Sequence, residues 1–403
     1  MKLLKPVFYI LVFVAFLQSG KVEAATLTAK KVVKQPVLEV SGWIPYWRKA
    51  TGTTEALAHL DAFTELNPFG YSVKNDGTLA DTAKMDEEPW LTLIKEAKAK
   101  KIRIIPTVMW SSGATIHKIL KNQKTRIALE DEIAALVKAK GYDGIDIDFE
   151  GKYAETKPYY SLFLKGLAQR LSKNTKWLMC TIEARTPLDS RYDTIPKDIA
   201  YANDFVAINK YCDRVRFMTY DQGTIDLDLN RARGAPYIPV ADPGWVVKTI
   251  NLAAKTISKK KIVIGIATYG YEYKVTKLSE YGYRYDLEWA LNPKYGIDLA
   301  ASLGITPKRN SANEISFMYT PTTTSSVAPN NGNNVTIHDI PASSVAQNSG
   351  GDIKGPVNIV WWSDAKAMKD KIDLAKELGI RGVAIFKIDG GADQGMWDLL
   401  PKK

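Results

Sequence analysis

Cysteine and histidine are scarce in this chain of 403 residues, which has two cysteines, Cys180 and Cys212, and three histidines, His59, His117 and His338. Two cysteines cannot build the framework of a small disulfide-rich domain, and a chain long enough to bury a large core does not need one. Cys180 lies in the apolar run 177–182 and reads as an ordinary buried thiol, although export would permit a disulfide. No histidine stands at metal-ligand spacing, so a histidine-built zinc site has no support, and neither a metal nor a cofactor is expected. No glycine-rich phosphate fingerprint follows an early apolar run, which argues against an open doubly wound sheet.

Positive charge and aromatic rings are what the chain has in quantity. It carries 55 Lys+Arg against 44 Asp+Glu, a formal charge of +11, with 10 Trp and 20 Tyr. At 45% hydrophobic and 25% charged it can bury a core, which excludes global disorder. The charge alone would suit nucleic acid, an anionic membrane or a cell wall.

The N-terminus narrows that choice. Lys2 and Lys5 precede an apolar run over 7–17 that is too short to span a bilayer, and Val22-Glu23-Ala24 follows with residues a signal peptidase accepts. Residues 1–24 therefore read as a cleaved signal peptide, with a retained N-terminal anchor as the alternative, and 25–36 as a basic leader. Cleavage would leave a charge of +9. The expected location is secreted or associated with an anionic cell envelope, and nucleic acid is not an expected partner.

Short apolar runs then recur at 37–44, 62–67, 102–109, 144–149, 177–184, 215–220, 261–268 and 379–387. Several are rich in Ile and Val with little alternation, as in parallel strands buried on both faces. Helical periodicity fills gaps at 91–100, 126–140, 245–257 and 364–378, with Gly141 and Gly379 placed as stops. Strands alternating with helices in this way predict an α/β fold, a (β/α)8 TIM barrel over 37–270 and 357–403. The rhythm breaks once. Residues 271–356 are tyrosine-rich and then Ser/Thr/Asn/Gly-rich, and predict a small α+β insertion domain between strands 7 and 8, with a long loop over 320–351.

The stretch that carries chemistry is Gly141-Tyr142-Asp143-Gly144-Ile145-Asp146-Ile147-Asp148-Phe149-Glu150. Residues two apart on a strand share a face, so Asp146, Asp148 and Glu150 project together into the barrel. Three carboxyl groups crowded on one buried face raise at least one pKa and favour a shared proton. An enzyme needs such crowding to keep a carboxylic acid protonated near neutral pH as a general acid. A calcium loop would be turn-rich rather than interleaved with Ile and Phe.

These acids resemble the Asp-x-x-Asp-x-Asp-x-Glu signature of glycoside hydrolase family 18, matched at Asp143, Asp146, Asp148 and Glu150. Met218-Thr219-Tyr220-Asp221 is similar to that family's sixth-strand motif, and Ser41-Gly42-Trp43-Ile44-Pro45-Tyr46-Trp47 to its first strand. Val360-Trp361-Trp362-Ser363-Asp364 resembles the spore-cortex and cell-wall-associated branch. The resemblance implies a retaining, metal-free glycosidase in which the substrate's own N-acetyl carbonyl attacks the anomeric carbon. It implies Glu150 as general acid, Asp148 as the group orienting the acetamido, Asp146 as its proton-sharing neighbour, and Tyr220 as a donor to the acetamido oxygen. Met218 and Asp221 would contact the sugar, and Asp143 would brace the strand. Where the family places Trp on the eighth strand, this chain has Phe386, beside Lys387.

Trp43, Tyr46, Trp47, Trp110 and Tyr269 fall at or beyond strand ends, where sugar rings stack, and Tyr46 and Trp110 are the favoured platforms, with core packing as the alternative. The tyrosines 271, 273, 281, 283 and 285 suit packing within the insertion. The expected partner is an N-acetylglucosamine-containing polysaccharide or oligosaccharide, chitin-type or peptidoglycan, cleaved at β-1,4 links by a monomer. Two alternatives are a catalytically silent carbohydrate-binding barrel, which would typically lose the acid at position 150, and an endoglycosidase acting on N-linked glycans.

Overall fold

A computed structural model describes residues 38–278, 282–321 and 357–401. The first part of the chain forms β1 (Glu39–Pro45), β2 (Glu65–Val73), β3 (Leu79–Asp81), β4 (Arg103–Ile104), β5 (Thr107–Trp110), β6 (Gly144–Phe149), β7 (Trp177–Glu183), β8 (Arg214–Met218) and β9 (Ile262–Ala267). Next come β10 (Gly270–Lys277), β11 (Tyr283–Leu291), β12 (Lys308–Arg309), β13 (Ile315–Tyr319) and β14 (Val357–Trp362), and β15 (Gly382–Phe386) ends the series. Parallel pairing runs β1–β15–β9–β8–β7–β6–β5–β2, and β2 pairs with β1, so the sheet closes on itself. The short β4 and β5 both lie along β2 and together make one stave, while β3 folds back antiparallel on β2. The result is an eight-stranded parallel barrel with helices outside it.

Local sequence explains the layering. Every residue of β6 and of β9 is buried, as expected for strands covered on both faces. On β6 the alternation sends Phe149 outward against Tyr160 and Phe163 of the helix Lys157–Ser172, with ring centroids 6.2 and 5.4 Å away. The four helices expected from periodicity fall at Trp90–Ala99, Gln123–Ala139, Pro243–Ala253 and Ala365–Glu377. The second starts earlier than its periodicity implies because the Asn122 side chain accepts from Lys124 N and Thr125 N. Gly141 and Gly379 follow the helix ends with φ of 59° and 64°, conformations that disfavour a side chain.

Ion pairs close the bottom of the barrel. Glu39 on β1 accepts from Arg214 of β8 at 2.7 and 2.9 Å and from Arg381, just before β15, at 2.7 Å. Burial raises the pKa of this carboxyl, but the guanidinium groups outweigh it and bring it down to about 2.

Two expectations need correction. Cys180 is not a free thiol: on β7, it forms a disulfide with Cys212, which lies two residues before the neighbouring strand β8, at a Cα separation of 6.0 Å. Parallel pairing sets Cys180 opposite Val215, three residues past Cys212, so the two thiols converge although 32 residues separate them. The insertion also does not end at residue 356. Val357–Trp362 is the central strand of a five-stranded antiparallel sheet ordered β11–β10–β14–β13–β12, rather than part of the barrel. This sheet lies between β9 and β15 in the chain. Tyr319 of β13 stands opposite Asn358 of β14, and the buried Glu272 carboxylate accepts from the Tyr319 hydroxyl and, at 2.6 Å, from the Asn358 amide. Glu314, also buried, accepts from Val240 N, Ala241 N and Trp361 Nε1 at 2.9, 3.0 and 2.6 Å.

Residues 1–37, which include the expected signal and leader, lie outside the described residues, as do Tyr281 and most of the 320–351 loop. Among the described residues no helix is long and apolar enough to cross a membrane, and no cluster of His, Cys, Asp and Glu could hold a metal ion.

Candidate active site

The barrel interior is polar in layers. In the lower layer the buried Arg216 of β8 pairs with Glu65 of β2, which also accepts from Arg103 Nε at 3.2 Å and Asn67 Nδ2 at 3.0 Å. One layer up, Asp146 is fully buried and held on all sides. Trp43 Nε1 and Thr107 Oγ1 donate to its Oδ2 at 3.2 and 2.8 Å, and Thr181 Oγ1 donates to Oδ1 at 2.9 Å. Arg216 Nη1 completes the cradle 2.9 Å from Oδ1. Burial pushes Asp146 up to about 6, against the pull of the three hydrogen bonds.

The next acid along the strand is held differently. Asp148 is 4% exposed, and among the described residues nothing offers a hydrogen bond to its Oδ1. Burial, together with the charges of Glu150 and Asp146, drives its proton affinity well above the carboxylate range. Glu150 sits just past the strand end, half-buried, with its backbone N–H donating to Trp110 O at 2.8 Å. Burial and then Glu183 raise its pKa. The three side chains therefore form a graded row. The deepest is anchored, the middle one is buried with a free oxygen, and the outermost reaches the barrel mouth, where active sites of this fold lie. Crowded, partly desolvated carboxyl groups of this kind can hold and pass a proton near neutral pH.

Tyr220 lies two residues beyond β8 and is buried, with its phenolic proton held more tightly than usual by burial and by Asp148 and Asp221. Its ring stacks on Phe386 at 5.5 Å with an interplanar angle of 19°. Trp43 and Tyr269 meet Phe386 edge-on at 5.9 and 6.0 Å, so the smaller ring at this position sits in an aromatic box. Asp221 has φ of 57° and accepts from the hydroxyls of Tyr269 and Tyr271 at 2.6 and 2.5 Å. Gly265 of β9 is required here: a Cβ at that position would lie 2.6 Å from Tyr220 Cε1 and 2.7 Å from Phe217 O.

The remaining candidates separate. Met218 is half-buried at the end of β8, opposite Glu183 of β7, and Tyr46 is half-buried with its ring edge-on to Trp47 at 5.0 Å. Trp110, expected as a sugar platform, is only 6% exposed and packs edge-on against Phe149 at 5.2 Å, in the core between strand and helix. Its strand position sends the side chain outward with Phe149. Trp47, which the sequence did not favour, is 52% exposed at the mouth end of β1. Asp143 stands at the opposite end of β6, where its Oδ2 accepts from Ile104 N at 2.8 Å, far along the strand from Glu150. Lys387 pairs with the buried Asp389, a structural contact.

Sequence reasoning missed Arg216, Glu65, Lys152 and Glu183. For Arg216 the signal was present: an arginine alternating with Val215 and Phe217 inside an apolar strand is a buried cation that demands an acid. For Lys152 and Glu183 no pattern in the chain announced that a loop lysine and a strand-end glutamate would meet.

The barrel and its row of acids at the mouth define a glycoside hydrolase. Residues 42–391 match the family described as Glycosyl hydrolases family 18, and the chain belongs to it. It is 25% identical over 316 residues to the Bacillus subtilis (strain 168) protein described as "Uncharacterized glycosylase YvbX", covering 77% of each chain. It is 24% identical over 343 residues to the "Cortical fragment-lytic enzyme" of Bacillus cereus, covering 84% of this chain and 67% of that one. In three dimensions it resembles the spore cortex-lytic enzyme SleL of Bacillus megaterium QM B1551, with a TM-score of 0.65, 22% identity, and coverage of 91% of this chain and 74% of that one. It also resembles a chitinase of Chromobacterium violaceum ATCC 12472, with a TM-score of 0.66, 18% identity, and coverage of 90% and 98%.

Proposed function

We propose that this protein cleaves β-1,4 links next to N-acetylglucosamine with retention of configuration, using the substrate's acetamido group as nucleophile. The supporting observation is the contrast within the acid row: Asp146 is saturated with donors, whereas Asp148 keeps a buried oxygen with none. A buried acceptor left without a donor costs about 1–3 kcal/mol, which is repaid when a substrate amide N–H occupies it. With Asp148 oriented on that N–H and Tyr220 donating to the acetamido oxygen, the carbonyl oxygen faces the anomeric carbon. Glu150 gives its proton to the leaving glycosidic oxygen as the C–O bond breaks, and the resulting oxazolinium is stabilised by negative charge shared between Asp148 and Asp146. Glu150, now a carboxylate, takes a proton from the water that opens the ring. Met218, Asp221 and Phe386 line the sugar, with Tyr46 further along the mouth.

Likeness to a cortical fragment-lytic enzyme favours peptidoglycan glycan strands over chitin oligomers as substrate. The apolar run at 7–17 and the basic charge suit an exported protein meeting an anionic envelope. Release of reducing ends from purified peptidoglycan and from chitin oligosaccharides tests the assignment. Glu150→Gln should lower kcat/KM by about 10²–10⁴-fold on whichever polymer is cut. Equal release by variant and wild type would refute the role given to Glu150.

A further inference from the structure

The reaction just proposed leaves unused a buried cation that follows the acid row. Lys152 lies two residues beyond Glu150, in the turn before the helix Lys157–Ser172, and its side chain is 1% exposed. Its Nζ donates to the carbonyl of Phe149, the residue between Asp148 and Glu150, and stands 3.5 Å from Glu183 Oε2 and 5.0 Å from the centre of the Tyr160 ring. Glu183 is itself fixed, accepting from Gly151 N at 3.2 Å and Asn203 Nδ2 at 2.7 Å. A lysine is rarely buried this completely without a charged partner, and a solvated position lay open to it in an exposed turn.

We propose that Lys152 is a positioning residue for catalysis: its buried ammonium supplies the positive charge that lets one carboxyl of the Asp148–Glu150 pair stay ionised while the other keeps its proton. The acid row then has a cation at each end, Arg216 beside Asp146 and, at the outer end, Lys152 bound to the Phe149 carbonyl between the two outer acids. Without the second, burial would raise the proton affinity of both outer acids, and the pH range in which one is ionised to meet a developing oxazolinium while the other keeps its proton would move upward. The groups facing the pair are Asp146 from the same strand, Glu183 from β7, Tyr220 and Asp221 beyond β8, and Lys152 and Tyr160 from the helix side. Of these only Lys152 lowers the proton affinity of both acids; Glu183 raises both.

This rests on the substrate-assisted reading, and the test separates the two. The pH profile of kcat/KM is measured for wild type, Lys152→Met, Lys152→Arg and Glu183→Gln, each checked for a cooperative thermal transition. Lys152→Met should move both limbs of the bell upward by about one pH unit, so that activity on the acid side falls about tenfold. Lys152→Arg should hold the limbs near their original positions. Glu183→Gln should move them downward, and it keeps the proposal falsifiable if Lys152→Met does not fold. A profile lowered in height with unmoved limbs in Lys152→Met, or limbs that fail to move down in Glu183→Gln, would overturn the proposal. Full activity in Glu150→Gln would instead overturn the reaction on which it rests.

Discussion

Gly265 offers a way to disturb the site without touching an acid. It lies on β9 behind Tyr220, and the methyl group of Gly265→Ala would meet Tyr220 Cε1 at 2.6 Å, Tyr220 Cδ1 at 3.1 Å and Phe217 O at 2.7 Å. Ordinary carbon–carbon contact begins near 3.5 Å, so the ring must retreat by about 1 Å. The Phe217 oxygen is backbone in the neighbouring strand and cannot yield as readily. Tyr220 is backed by Phe386, stacked at 5.5 Å, so its retreat also pushes on the aromatic box formed with Trp43 and Tyr269. Misplacement of a positioning group by this distance can cost about 10²-fold in rate, and overpacking of a tight interior costs about 1–3 kcal/mol in stability. The assay is kcat/KM on the cleaved glycan beside a thermal melt, for Gly265→Ala, Tyr220→Ala and the double variant. The alanine at 265 should do much less further damage to activity once the tyrosine ring is gone, giving a clear coupling between the sites. Unchanged kcat/KM in Gly265→Ala, or losses that simply add, would refute the placement of Tyr220 in catalysis through that ring position.

Two predictions concern the barrel itself. The Glu39 carboxyl is held at about 2 by its arginines, below its ordinary value of 4.5, so its stabilising contribution is complete above about pH 4.5 and disappears as pH falls towards 2. Glu39→Gln should cost about 3 kcal/mol at neutral pH and flatten the acid limb of a stability–pH curve measured by denaturant titration; an unaltered acid limb would rule this out. Replacing both Cys180 and Cys212 by alanine releases a 32-residue loop and should lower stability by about 3–4 kcal/mol, visible as a shift in denaturation midpoint that a reductant reproduces in the wild type.

Much of the barrel was legible because buried parallel strands have an unusual composition. Uninterrupted runs such as Ile262–Ala267 can be satisfied only between two covering layers, and Gly141 and Gly379 mark helix ends by conformational need. The acid row was legible for the same reason in reverse, since carboxyl groups alternating with Ile and Phe have no cheap place in a core. What stayed hidden depends on register between distant segments. The disulfide needs Cys180 and Cys212 brought together by the β7–β8 pairing, and the start of β14 cannot be told from that of a barrel strand, because Val357–Trp362 is as apolar as β9. Trp110 was misjudged by one strand position: residues at the mouth alternate between facing the cleft and facing the helices, and nothing local says which.

The base of the β13–β14 hairpin has a further consequence. Tyr319 and Asn358 are opposite one another and are both tied to the buried carboxylate of Glu272, so the chain leaves and re-enters the insertion sheet at a fixed, closed gate. With the ends pinned, doubling the length of the connecting segment costs only about 0.6 kcal/mol in closure entropy. A segment of different length or chemistry can thus be joined at the same two residues at little cost in closure entropy. Glu272, which ties the two ends together, would make such grafting possible.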